Sequence, residues 1–385
     1  MDMIYFDNAA TSLPKPPAVG LAVLEAINTF GGAGRGGHPA SLAATRCIFR
    51  ARKAVAELLG STAEQTVFTS NATESLNIAI LGLLTSQDHV ITTVLEHNSV
   101  LRPLYKLRSE GMGLSFIGID QKGNLNYDGF YRSLRPNSKA VVCTHASNLT
   151  GTVTNLDFVA DFCKKNGLLL IVDASQTAGV FDVNADKLGI DVLCFTGHKG
   201  LLGPQGTGGF CVRKGLAVMP LKVGGSGLHS YSEIHPEGMP EALEAGTANG
   251  HGIAGLLAGV EYILKSDMAA IRNKELELTK LFRQGIETVT GVRIYGDATV
   301  PHAPIVTLTI SSMDSGEVGD RLASDYNICV RTGAHCAPLA HVALGTQKQG
   351  AVRFSFSSFN TEEEIHAGIQ AIAEIAAEGS ARIIG

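Results

Sequence analysis

The sequence predicts an α/β protein: a wound sheet covered by helices, followed by a smaller α+β part. Three observations predict it. From about Thr66 to Gly209 short apolar runs alternate with amphipathic stretches, and several runs are apolar on both faces, as strands covered on two sides must be. After about Gly250 the texture changes to long helical patterns and then to strands. With 385 residues and 45% hydrophobic content, the chain exceeds the length at which one core forms, so two closely packed units are expected.

In chain order, the predicted strands of the first part are TVFTS (66–70), HVITTV (89–94), LSFIGID (114–120), AVVCTHA (140–146), LLLIVDA (168–174), VLCFTG (192–197) and GGFCVR (208–213). Helical patterns lie between them at Thr73–Leu84, Ser99–Glu110 and Leu156–Asn166. The second part reads as helices over Ile253–Lys265 and Met268–Thr290, then strands APIVTLTI (303–310), NICVRT (327–332) and AVRFSF (351–356). A last helix opens at Asn360 and Thr361 with Glu363 and Glu364 in its first turn, where a side-chain oxygen and acidic groups satisfy free amides and the helix dipole.

Composition narrows the function. Lys plus Arg (31) against Asp plus Glu (36) leaves −5, too even a balance for a protein that binds nucleic acid by neutralising phosphates. The first ten residues carry acidic groups and no apolar stretch of signal length, and no run approaches the roughly 18 apolar residues of a membrane span, so a cytoplasmic protein is expected. Seven cysteines without a CxxC pair suggest reduced thiols and no metal site.

Ligands of wound sheets gather at the carboxyl ends of strands. Three predicted strands end in polar clusters there: Ser147-Asn148-Leu149-Thr150-Gly151, Asp173 with Gln176 three residues on, and Thr196-Gly197-His198-Lys199-Gly200. Together they offer a carboxylate, an amide, a hydroxyl, an imidazole and an amine. Pyridoxal 5′-phosphate needs such a set, with a lysine for the Schiff base and a carboxylate that keeps the ring nitrogen protonated. Read singly, Lys199 is a solvated loop lysine and Asp173 a helix cap; the pair makes the cofactor reading. Ser70 to Asn77 follows a strand and opens a helix, so the Ala72 amide and Thr73 suit a phosphate, although an ordinary capped helix explains that segment alone equally well.

The motifs YFDNAATS, SNATESLN, LEHNSV, SNLTGTV, VDASQ, TGHKGLLGPQGTGG, EAGTANGHGIAGL, RTGAHCAP and VRFSF with FNTEEE occur in this order across nearly the whole chain. In that order they resemble cysteine desulfurases of the class V aminotransferase superfamily, and the form of the RTGAHC segment resembles the group II (SufS-like) and selenocysteine lyase branch. The resemblance implies fold type I, with a mixed, mostly parallel sheet in a large cofactor domain (15–255) and a small domain formed by 1–14 and 256–385. It also implies a homodimer with active sites at the interface.

The resemblance further implies roles. His97 stacks on the cofactor ring and could move a proton, its alternative being a helix-capping loop histidine; Asn148 and Gln176 lie near the ring hydroxyl. Thr196 and His198 face the cofactor on the turn before Lys199, and Thr247 reaches the phosphate of the neighbouring subunit. Arg353 holds the substrate α-carboxylate, with a structural ion pair as its alternative. Asn8, Ala9 and Ala10 line the same pocket. Cys336 is the discriminating residue, since a desulfurase needs a mobile thiolate to attack substrate sulfur, with Arg331 and His335 close enough to favour the thiolate or steer anions; its alternative is a small buried residue. The implied reaction converts L-cysteine, or L-selenocysteine, to L-alanine, with the sulfur passed to an acceptor thiol or protein. A related lyase or aminotransferase, or a non-catalytic sulfur-transfer scaffold, are the rival readings.

Overall fold

The computed structural model describes residues 3–34, 36–228 and 230–384. Its larger sheet has seven strands in the order Thr66–Thr69, Gly208–Val212, Val192–Thr196, Leu169–Asp173, Ser138–Thr144, His89–Thr93 and Gly113–Ile117. Gly208–Val212 runs antiparallel to both neighbours, and the pairs from Val192–Thr196 outward to Gly113–Ile117 are all parallel. The sheet is therefore mixed and mostly parallel, as expected.

The two-faced apolar runs explain its placement. In the central strands Val141, Leu170, Val172, Leu193 and Phe195 turn to one core, while Val142, Ile171, Val192 and Cys194 turn to the other, following the two-residue period of a strand. Helices Pro39–Leu59, Leu156–Asn166 and Gly250–Ser266 contribute to the first core; Ala72–Leu83 and Asn98–Ser109 contribute to the second. Close approach at one point demands glycine. A Cβ on Gly208 would lie 2.6 Å from the Cα of Asn71, so the bare strand lets the helix that begins at Ala72 sit against the sheet.

A second, antiparallel sheet orders Arg331–Gly333, Ala351–Ser355, Ile305–Ile310 and Val292–Tyr295. Its core holds Phe6, Phe282, Phe354 and Phe356, closed by helices Met268–Glu287 and Glu362–Ile384. The predicted strand over 327–332 is split. Ile328–Cys329 pairs with Ile4–Tyr5, whereas Arg331–Gly333 pairs with Ala351–Ser355, so the chain changes partner at Val330. The N-terminal segment is thereby stitched to the second sheet, and Asp7 bridges Ser355.

Sequence reading passed over helices Pro17–Thr29 and Pro39–Leu59, each of which starts with proline at a first-turn position, where its missing N–H costs nothing. All seven cysteines are free thiols. Among the described residues no helix is long and apolar enough to cross a membrane, and no cluster of side chains could hold a metal ion.

Candidate active site

The strand ends meet in a pocket of about 220 Å³. Asp173 ends the strand Leu169–Asp173 and is 3% exposed; its Oδ1 accepts from Ser175 N at 2.9 Å, which fixes the carboxylate. Thr196 ends the neighbouring strand, and the turn beyond it brings His198 and Lys199 to the same pocket. The His198 carbonyl accepts from Ser12 N at 2.9 Å and from Thr11 Oγ1 and Ser12 Oγ at 3.2 Å each, so the N-terminal segment holds the peptide that carries Lys199. Burial pushes Lys199 down to about 8, against the opposing pull of Asp173 and with Arg353 and Arg331 adding to the fall. Its amine thus gives up its proton far more easily than an ordinary lysine, which favours the neutral form that a nucleophile or base needs.

Ala72 and Thr73 line the pocket at the open amide end of their helix, whose Asn71 cap accepts from Glu74 N at 3.0 Å. His97 has the capping geometry of its alternative reading and also reaches the pocket. Its Nδ1 accepts from Ser99 N at 3.0 Å and caps Asn98–Ser109, while the ring lines the pocket, and burial pushes it down to about 4. Gln176 donates to Ala9 O at 3.1 Å, and Ala10 lies beside it in the pocket wall.

Two arginines face each other across the second sheet, since Arg331 and Arg353 are register partners. Arg353 is 1% exposed and has the structural ion pair that sequence left open: Nη2 donates to Asp7 Oδ1 at 2.9 Å and Nη1 to Asn148 O at 2.8 Å. It nevertheless lines the pocket, as does Arg331.

One placement differs from expectation, and two others add detail. Asn8 does not line the pocket, because its amide is committed to Ser355 O at 3.0 Å and its carbonyl to Leu13 N at 3.1 Å. Thr247 is exposed in a separate cleft of this chain, which it shares with Ser70 and Glu74. Cys336 is half-buried just outside the pocket wall on a short turn that is tied down: Asn98 N donates to Cys336 O at 2.8 Å and Asn148 Nδ2 to His335 O at 2.7 Å.

Sequence reading missed Glu96, which is fully buried beside His97. Its Oε1 accepts from Thr93 Oγ1 at 2.6 Å and Thr144 N at 3.0 Å, and Oε2 has no partner. Burial, with Asp173 adding to it, pushes Glu96 up to about 8. The folded chain therefore keeps a proton that the unfolded chain releases at an ordinary carboxyl pKa, so the stability this group contributes is complete below about pH 4.3 and is lost as pH rises through about 8. The melting temperature should fall between about pH 6 and about pH 8, and Glu96→Gln should flatten that fall in part, Glu275 having the same upward shift. Equal slopes for the two proteins would refute the assignment.

The class V aminotransferase family matches residues 4–367. The chain belongs to this family. It is 33% identical to a probable cysteine desulfurase of Pyrococcus abyssi over 97% of this chain and 94% of that one. It is 31% identical to a cysteine desulfurase of Nostoc sp. over 97% and 93%. The apo structure of a cysteine desulfurase from Thermococcus onnurineus NA1 superposes with a TM-score of 0.92 at 34% identity, covering 98% of this chain and 95% of that one. The crystal structure of the cysteine desulfurase CsdA (S-sulfonic acid) from Escherichia coli gives a TM-score of 0.88 at 27% identity, covering 98% of this chain and 95% of that one.

Class V aminotransferases work with pyridoxal 5′-phosphate, and the pocket fits it. Four of its side chains carry a buried polar atom without a protein partner: Asn148 Oδ1, Thr196 Oγ1, His198 Nδ1 and Arg353 Nε. Buried polar groups are ordinarily satisfied, so such a concentration around one lysine and one carboxylate suits a polar anionic guest.

Proposed function

We infer that this class V enzyme is a pyridoxal-phosphate-dependent cysteine desulfurase that converts L-cysteine to L-alanine and receives the sulfur on Cys336. The observation that carries the reading is the Asn98 N to Cys336 O hydrogen bond of 2.8 Å, which tethers a half-buried thiol one residue from pocket-lining His97. The cysteine desulfurases among its relatives support it.

In this reading Asp173 holds the proton on the ring nitrogen, His97 lies against the ring, and Asn148 and Gln176 serve the ring hydroxyl. Ala72, Thr73, Thr196 and His198 receive the phosphate, where free amides and hydroxyls favour an anion. Thr247 serves the phosphate of a second subunit. When bound, the cofactor withdraws electrons from the substrate α-carbon. Arg353, steadied by Asp7, and Arg331 take the α-carboxylate. Lys199 removes the α-proton. The Cys336 thiolate attacks the substrate sulfur; an S–S bond forms and the substrate C–S bond breaks. The electron pair stays on the substrate β-carbon, which is protonated, and Lys199 returns a proton to the α-carbon to complete L-alanine; a thiol or partner protein then collects the sulfur.

A homodimer is part of the same reading. It is supported by exposed apolar side chains on Pro17–Thr29 (Leu21, Leu24, Ile27) and along the irregular stretch that holds Met219, Val223, Tyr231 and Ile234. Sedimentation equilibrium showing a monomer at micromolar concentration would remove it.

Product analysis tests the activity. Purified enzyme incubated with L-cysteine should release alanine and carry a persulfide on the Cys336 peptide. Pyruvate with ammonia would instead mark β-elimination, and a keto acid would mark transamination. A parallel incubation with L-selenocysteine reads the preference between sulfur and selenium.

A further inference from the structure

Between the strand Arg331–Gly333 and the helix Pro338–Leu344, two adjacent residues adopt left-handed backbone: His335 (φ 50) and Cys336 (φ 55). Both carry a Cβ, for which that conformation is unfavourable unless the surroundings impose it. The two carbonyl tethers already described hold the peptides. A separate set of contacts holds the His335 ring.

His335 Nε2 lies 3.1 Å from Arg331 O. A carbonyl only accepts, so Nε2 carries the hydrogen. Burial pushes His335 down to about 3, which leaves the ring neutral and its Nδ1 an acceptor. The partner of Nδ1 is His341 Nε2 at 3.4 Å, on a ring that lies edge to edge with it, centroids 5.6 Å apart and planes 6° apart. His341 Nε2 must then donate. That leaves His341 Nδ1 to accept from Thr346 Oγ1 at 2.7 Å. The chain of donors runs in one direction, from Thr346 through His341 and His335 to the Arg331 carbonyl, and both imidazoles are sealed from solvent at 3% and 2% exposure. His335 lines the pocket, whereas His341 does not.

We propose that His341 is a positioning residue for the sulfur nucleophile, acting through His335 to hold the left-handed turn that presents Cys336 to the pocket. The proposal rests on the reading of Cys336 as nucleophile and adds what aims it. Neither imidazole is an acid or base in this role. Each is locked as one donor and one acceptor, and His341 influences the reaction without touching substrate or cofactor.

Three variants of the holoenzyme test it. His341→Phe keeps a flat ring but removes both nitrogens; His341→Gln restores an amide donor near the place of Nε2; Thr346→Val removes only the far donor. Alanine formation from L-cysteine gives kcat and KM, and iodoacetamide labelling of the Cys336 peptide gives its accessibility. For His341→Phe, kcat should fall roughly 10- to 100-fold with KM within about twofold and an altered labelling rate, because a nucleophile displaced by about an ångström loses that much. His341→Gln should recover most of the loss, and Thr346→Val should lose less than His341→Phe with the same unchanged KM. Wild-type kcat in His341→Phe, equal losses in the Phe and Gln variants, or a loss confined to KM would overturn the proposal. Should His341→Phe not fold, an unchanged kcat in Thr346→Val would overturn it. Full activity in Cys336→Ala would refute the nucleophile reading itself, a separate result.

Discussion

Replacing Cys336 by alanine should lower alanine formation from L-cysteine by more than about 10³-fold, while the bound cofactor keeps its visible absorbance and still responds to added cysteine. The two effects separate because Cys336 stands outside the wall that contains Lys199 and Asp173. No other cysteine is a convincing substitute. Cys143, Cys163, Cys194 and Cys211 are buried, and burial pushes their thiols up, Cys163 to about 12 and Cys143 and Cys194 far above the ordinary value. Burial likewise raises Cys47. Cys329 is committed to the short strand that pairs with Tyr5. Alanine production at the normal rate in Cys336→Ala would show that sulfur leaves by another route.

Lys199→Ala should lower the same activity by about 10³-fold or more, since the proposed mechanism uses this amine both as covalent anchor and as base for the α-proton. The decisive readout is chemical. Borohydride treatment of the parent should leave cofactor fixed to the Lys199 peptide through denaturation, and the same treatment of Lys199→Ala should leave none. The control that matters is Lys15. Burial pushes its amine to about 8 as well, and its Nζ lies 3.5 Å from the His198 carbonyl, yet it does not line the pocket. Cofactor fixed to Lys15 in either protein would show that the wrong amine was assigned.

Asp173, Thr196, His198 and Lys199 were legible because a wound sheet sends the carboxyl ends of its strands to one side, so local apolar runs predicted which polar residues would meet. Arg353 was named through family resemblance, and its partner Asp7 was invisible, because no short-range pattern couples positions at opposite ends of a chain. Glu96 escaped for another reason. A carboxylate beside a loop histidine reads as solvated, and only the surrounding strands reveal that it is sealed. The His335–His341 pair spans a turn, where neither the helical nor the strand period applies. Asn8 illustrates the converse error: a polar residue in a recognised motif was assigned to the pocket, whereas backbone groups had already claimed its amide.

The Asp7–Arg353 pair has a consequence for biosynthesis, since it clasps residues separated by 346 positions in the chain. A polypeptide still emerging from the ribosome has Lys199 and Asp173 long before the strand that supplies Arg353 exists. Truncated products that end before that strand will therefore leave the Asp7 carboxylate without its guanidinium partner and the N-terminal segment without that clasp.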